Sequence, residues 1–306
     1  MKIVATSPSF SLNATLRNEL ESAFSQCVFN DQGIRLAGKE LLDFLQDADG
    51  VVIGLEVLSA DIIRRLPDLK IVSKFGVGVD NIDIECCEGC GIKIGWTPGI
   101  NRVSVAEMTL SFMIMLVRNI YATSLQLKGG VWNKSGGSNL QGKTVGIIGV
   151  GNVGKELCRL LKPFHCTILV NDIIDQAGYY WGNGLIDTSK KDIYRQADIL
   201  SLHTPLTELT RNLINSDVLS MMKTSAYLVN SARGPIVNSA DLKWALKNGV
   251  IAGAAIDVYD EEPPEDRELV GLPNLVCTPH IGGNSIESVL SMGRSAIEHL
   301  RVFFDR

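Results

Sequence analysis

The chain has no surplus of positive charge. Its 29 Lys and Arg stand against 34 Asp and Glu, a net charge of −5, so neither nucleic acid nor an anionic membrane is an expected partner. No apolar run approaches the ~20 residues that a membrane span needs. The N-terminus lacks a signal-peptide pattern and runs straight into strand-like Lys2–Ala5, which makes a cytoplasmic location the expectation. Paired cysteines are missing too. Cys27, Cys86, Cys87, Cys90, Cys158, Cys166 and Cys277 are odd in number and irregular in spacing, a pattern of free thiols in a reducing compartment. Cys87-x-x-Cys90 adjoins Cys86, and no second pair completes four zinc ligands, so no metal site is expected. Low-complexity segments and short repeats are also lacking.

What remains is an ordinary globular composition, 45% hydrophobic and 21% charged over 306 residues, enough for about two domains. Short apolar runs alternate with helical patterns in both halves. The first half places strands at 2–5, 50–53, 71–74 and 92–95, with helices near 13–24, 38–45, 59–66 and 83–89. The second places strands at 144–148, 167–171, 199–202, 226–230, 251–257 and 275–277. Such alternation predicts two doubly wound parallel-sheet α/β domains. A long apolar helix from Ser104, its expected N-cap, to Asn119 reads as buried nearly all round, between domains or at a subunit interface. Residues 129–142 read as a loop. The last helix, 286–304, is long enough to return to the first half. The expected division is 1–100 plus 283–306 against 101–282.

The densest signal is Thr144–Ile148, a buried-strand pattern, followed by Gly149-x-Gly151-x-x-Gly154 and a helical pattern from Lys155 to Leu161. Gly149 permits the tight turn, Gly151 lets the backbone approach a pyrophosphate, and Gly154 allows close helix–strand packing. The helix N-terminus offers N–H groups to phosphates. A second strand ends at Asp172, 18 residues beyond the last glycine. Its carboxylate suits a ribose 2′-hydroxyl and repels a 2′-phosphate. Ile173 and Ile174 follow, so no adjacent Arg favours NADP and the expected cofactor is NAD.

Ligands of open α/β sheets bind outside the carboxyl ends of the strands. The polar residues just after the later strands are Arg233, Asp257, Glu262 and His280. An Arg fork suits a carboxylate, a His exchanges a proton near neutral pH, and a carboxylate can orient that His. Beside a nicotinamide this set fits hydride transfer to or from a 2-hydroxy acid. His203 also follows a strand, yet it is not expected to act as acid or base. His165 and His299 read as structural.

The chain resembles the D-isomer-specific 2-hydroxyacid dehydrogenases along essentially its whole length. The matching stretches are Ser73–Asp83, Thr97-Pro98-Gly99, Val105-Ala106-Glu107, the glycine fingerprint, Asn230–Gly234, Asp257–Pro263 and Thr278–Gly283. The resemblance implies a Rossmann NAD-binding domain and a flavodoxin-like substrate domain. It makes Arg233, Glu262 and His280 the catalytic set, with Arg233 on the substrate carboxylate and carbonyl, His280 as acid/base and Glu262 orienting it. Asn152 and Val153 would face the pyrophosphate, Asp172 the adenosine ribose, Thr204 the adenine side and Asp257 the nicotinamide carboxamide. Ser231, Ala232, Gly282 and Gly283 fall on the cofactor side. Lys74 and the Gly76-Val77-Gly78 turn would meet the substrate. A homodimer is the family's usual state.

The general likeness is to phosphoglycerate dehydrogenases. Where those enzymes commonly carry an Arg after a first-domain strand, this chain reads Gly54-Leu55-Glu56, a poor seat for a phosphate. Their C-terminal regulatory domain is not expected here. The alternatives are a glyoxylate or hydroxypyruvate reductase within the family, and an NAD(H)-sensing co-regulator. A formate-dehydrogenase-like member would carry Gln where Glu262 stands.

Overall fold

The computed structural model describes residues 1–305. The chain divides into two units, Met1–Asn101 with a return that begins at Gly283, and Arg102–Gly282.

The first unit holds five parallel strands: β1 (Lys2–Ala5), β2 (Gln26–Phe29), β3 (Gly50–Ile53), β4 (Ile71–Lys74) and β5 (Lys93–Gly95). Their order, β2-β1-β3-β4-β5, is that of a flavodoxin-like sheet. Each residue of β3 and β4 is buried, as expected of strands covered on both faces. Val51 and Ile53 join a core with Leu41, Leu42 and Ile63, while Val52 points to the opposite core with Phe10, Leu16 and Leu20. That second core is completed by Met292, Ala296, Ile297 and Leu300 of the returning helix Ile286–Phe304. Ser285 caps this helix by accepting from Ser288 N. Ser73 Oγ fastens it by donating to Ala296 O at 2.8 Å. Gly95 leaves the space that the His299 side chain fills, since a Cβ there would lie 2.5 Å from His299 Cβ.

The second unit holds seven parallel strands: β6 (Thr144–Ile148), β7 (Thr167–Asn171), β8 (Ile186–Asp187), β9 (Ile199–Leu202), β10 (Tyr227–Asn230), β11 (Gly253–Ile256) and β12 (Leu275–Cys277). The order β12-β11-β10-β9-β6-β7-β8 reverses direction between β6 and β9. That switch point is where a doubly wound sheet opens a crevice for a ligand.

Two strands were not foreseen. β2 is half-exposed over Gln26–Val28 and β8 is exposed; both lie at sheet edges, where no apolar run is required. The long helix also differs. It spans Arg102–Val117, so Ser104 sits inside its first turn and does not cap it; Ser104 Oγ donates to Gly282 O at 2.6 Å. Its Ala106, Phe112, Met113, Leu116 and Val117 belong to the core of the second unit with Val145, Ile147 and Leu157. Its burial is therefore explained within one unit. A separate helix, Ile120–Lys128, follows and buries none of its side chains. Among the described residues no single helix is long and apolar enough to cross a membrane. The two helices pass that test only together, and they are bent by 66°.

Candidate active site

The turn after β6 sits against the end of β9. Gly149 has φ +93, and a Cβ on it would lie 2.5 Å from His203 O and 2.9 Å from Thr204 N. A Cβ on Gly154 would lie 2.2 Å from Gly149 O, so the helix Asn152–Leu161 packs directly on the turn. Gly151 is different: a Cβ there meets nothing within 4 Å. Gly151 is also the N-cap of that helix, with no side chain capping it. The first turn of this helix, with the N–H groups of Asn152 and Val153, is thus left without a capping side chain, as a pyrophosphate site requires.

Asp172 stands beside this turn at the end of β7. Its Oδ2 accepts from Val150 N at 2.6 Å and its Oδ1 from Ile174 N at 2.9 Å. Both following isoleucines are exposed, Ile173 by 87%. Across the switch point, Thr204 Oγ1 is buried without a hydrogen-bond partner, an unmet polar group of the kind a ligand satisfies. Open space at Gly151, an uncapped helix, a carboxylate at β7 and an orphan hydroxyl at β9 together fit a dinucleotide. His203 lies against the same turn through its carbonyl. Its Nε2 is 2.9 Å from Ser201 Oγ, and desolvation pushes its pKa down to about 4, so the ring is neutral near pH 7.

Three neighbouring strands deliver the polar set. Arg233 follows β10, Glu262 follows β11 and His280 follows β12. Gly234 makes the first two loops meet, because a Cβ on it would fall 2.0 Å from the Tyr259 carbonyl carbon. Asn230 shapes the arginine turn: its Oδ1 accepts from Ala232 N and its Nδ2 donates to Arg233 O, at 3.1 and 2.8 Å. Arg233 Nη1 donates to Ala232 O at 2.7 Å. Ser231 Oγ lies 2.9 Å from Thr109 Oγ1 on the long helix.

His280 Nδ1 is 2.9 Å from both carboxylate oxygens of Glu262. The imidazole is 27% exposed, enough to reach a substrate. With Nδ1 donating to the carboxylate, Nε2 is the atom left for proton exchange. His280 adopts φ +54, a left-handed conformation uncommon outside glycine. Asp257 holds it there. This carboxylate, 1% exposed, accepts from Thr278 Oγ1, Ile281 N and Gly282 N at 2.5, 2.9 and 2.7 Å. Asp257, expected at the nicotinamide, is thereby the anchor of the histidine loop. Gly282 belongs to this knot, and Gly283 falls in the first unit. Tyr259 also supports the loop, its OH donating to Thr278 O at 2.9 Å and its N–H reaching Glu262 Oε1 at 3.3 Å. Tyr259 and Asn230 lie inside the motif stretches, yet their roles need the folded loops to be seen.

In the first unit the turn Gly76-Val77-Gly78 follows β4. Gly76 has φ +137, and Trp96 Nε1 donates to Val77 O at 2.6 Å. Lys74 was expected at the substrate, but it is 3% exposed. Its ammonium donates to Gly54 O and, at 2.7 Å, to Asn81 Oδ1. Glu56 is equally enclosed and accepts from Gly54 N and Thr6 Oγ1 at 2.8 and 3.0 Å. The buried pair shapes the 54–56 turn, leaving Leu55 exposed at its tip.

Fold and site together define a doubly wound nucleotide-binding protein with an Arg–Glu–His set at adjoining strand ends. The family profile described as D-isomer specific 2-hydroxyacid dehydrogenase, NAD binding domain, matches residues 110–282. The chain belongs to this family, and its second unit is the NAD-binding domain. It is 37% identical over 272 residues to the D-3-phosphoglycerate dehydrogenase of Methanocaldococcus jannaschii, covering 87% of this chain and 52% of that one. It is 33% identical over 300 residues to the hydroxypyruvate reductase of Thermotoga maritima, covering 93% and 96%. The crystal structure of the TT0316 protein from Thermus thermophilus superposes with a TM-score of 0.90 at 30% identity, covering 100% and 98%. The chain spans about half the length of the phosphoglycerate dehydrogenases it matches.

Proposed function

We propose that the chain is an NAD-dependent oxidoreductase that interconverts a D-2-hydroxy acid and its 2-oxo acid. The observation that carries the reading is the His280–Glu262 pair, 2.9 Å apart, on the same sheet as the dinucleotide turn. NAD, when bound, would supply the hydride acceptor for C2 of the hydroxy acid. Asn152 and Val153 would hold its pyrophosphate, and Asp172 its ribose. Arg233 takes the substrate carboxylate with its planar fork. His280 Nε2 removes the hydroxyl proton in oxidation and returns it in reduction, while Glu262 fixes the orientation of the ring.

The test is His280→Ala. It should still bind NADH but turn over 2-oxo acids about 10²–10⁴-fold more slowly. Unchanged turnover would remove the assignment. An NAD(H)-sensing co-regulator is disfavoured by the complete Arg233, Glu262 and His280 set. Tight NADH binding with no oxidation by any 2-oxo acid would reinstate it.

On the substrate, the 54–56 turn favours an unphosphorylated acid over 3-phosphohydroxypyruvate, because Lys74 is committed inside the turn and Leu55 faces out. Glyoxylate and hydroxypyruvate should therefore be reduced with a higher kcat/KM than 3-phosphohydroxypyruvate. A preference for the phosphorylated acid would reverse this. We further propose a cytoplasmic homodimer. The helix Ile120–Lys128 and its continuation expose Ile120, Leu125, Leu127, Val131 and Trp132, the last by 78%, an apolar patch of the kind covered in assemblies. Sedimentation as a monomer at micromolar concentration would refute it.

A further inference from the structure

Tyr259 sits in the loop after β11, three residues before Glu262. Its two donors reach the two partners of His280. Tyr259 N donates to Glu262 Oε1 at 3.3 Å, the oxygen that His280 Nδ1 meets at 2.9 Å. Tyr259 OH donates to Thr278 O at 2.9 Å, the oxygen that accepts from His280 N at 3.1 Å. Each of these oxygens has lone pairs for two donors. Tyr259 and His280 thus share both acceptors, and the four residues close a ring. One acceptor fixes the imidazole, and the other fixes the backbone that carries it. Asp257 takes no part in this ring: it grips the Thr278 hydroxyl and the amides after His280.

We propose that Tyr259 is a positioning residue for hydride transfer, a role that rests on the dehydrogenase reading above. Its hydroxyl aims His280 by holding the Thr278 carbonyl on which the histidine amide rests. Tyr259 acts through His280, so its hydroxyl governs the chemical step and leaves the affinity for NADH and for the 2-oxo acid alone.

The surroundings keep the hydroxyl in this role. Burial pushes the Tyr259 phenol up, so it holds its proton and stays a donor near neutral pH. The aromatic ring packs against the core of the second unit. Gly234 lies against the Tyr259 carbonyl, where a Cβ would fall 2.0 Å from the carbonyl carbon. Packing therefore fixes the ring and the backbone of Tyr259, and the phenol oxygen is the atom that couples them to the histidine loop. A phenylalanine keeps the packing and the Glu262 contact and loses only the hydrogen bond to Thr278.

The experiment is steady-state reduction of glyoxylate and hydroxypyruvate by NADH, with the full chain as wild type, Tyr259→Phe, His280→Ala and the double variant. A cooperative thermal melt of each variant checks that it is folded. Tyr259→Phe should lower kcat about 3–10-fold and leave KM for the 2-oxo acid and the NADH Kd as in wild type. The double variant should turn over no more slowly than His280→Ala, because without the imidazole there is nothing left to aim. A purely structural hydroxyl would slow both backgrounds by the same factor, and that result would overturn the proposal. Wild-type kcat in Tyr259→Phe, with His280→Ala slowed, would overturn it alone. Wild-type turnover by His280→Ala would instead remove the dehydrogenase assignment itself, and the role of Tyr259 with it.

Discussion

Gly149 and His203 meet backbone to backbone, and this contact sets what each position tolerates. A methyl at residue 149 has no flexible neighbour to displace, since the nearest atoms are the His203 carbonyl and the Thr204 nitrogen. Gly149→Ala should cost at least about 1–3 kcal/mol, because the positive φ adds strain to the overlap. NADH affinity should fall with it, as fluorescence titration would show. Gly151→Ala has open space and should keep its melting temperature while weakening NADH binding. His203 predicts a pH dependence of stability. Its folded pKa of about 4 lies below the ordinary ~6.5, so the unfolded chain binds more protons in between. Stability from this group is whole above pH 6.5 and is lost as pH falls toward 4. His203→Asn should flatten the decline in melting temperature across that window. An unchanged slope would assign the decline to other groups. At this scale the placement of the fingerprint glycines, Asp172, Arg233, Glu262 and His280 at or after strand ends was legible in the sequence, because the strands before them are apolar runs. Lys74 was not. Its burial depends on Gly54 and Asn81, which only the folded sheet brings to it.

The loop from Thr278 to Gly282 works as an element, and its anchor is Asp257. Removing that carboxylate leaves Ile281 N, Gly282 N and Thr278 Oγ1 without their acceptor, at roughly 1–3 kcal/mol for each buried group left unpaired. His280 would no longer be held at φ +54. Asp257→Ala is therefore expected to lower the melting temperature and turnover together. Full turnover at a reduced melting temperature would show that His280 needs no such anchor. In the first unit, Leu300→Ala removes a fully buried side chain of the returning helix and should cost about 2–5 kcal/mol, read by denaturant unfolding. The elements themselves were mostly readable. Central strands such as β3 and β11 are covered on both faces and appear as unbroken apolar runs. β2 and β8 escaped because an edge strand needs no such run. The start of the long helix was misplaced because Ser104 looks like a cap, whereas its hydroxyl serves Gly282 O.

The whole molecule has separate cores for its two units, so a ligand held by one should not protect both equally. NADH at 100 times its Kd adds about 2.7 kcal/mol to the state that binds it. Hydrogen exchange with NADH alone should slow across β6 to β12 and leave β1 to β5 nearly unchanged. Equal protection of both sheets would contradict this. The division into two α/β halves was legible from the alternation of strand and helix patterns. The fate of the long apolar helix was not, because apolarity alone does not say which core takes it.

The returning helix also fixes an order of events during synthesis. The first 101 residues emerge from the ribosome without Met292, Ala296, Ile297 and Leu300, which complete one of their two cores. Residues 102–282 carry every strand of their own sheet and are free to fold while the earlier segment waits. Translation proceeds from the N-terminus, but maturation is expected to run the other way, with the nucleotide-binding half finished before the half that was made first. A nascent chain stalled once residue 282 has cleared the exit tunnel should retain NADH yet leave its leading segment open to protease.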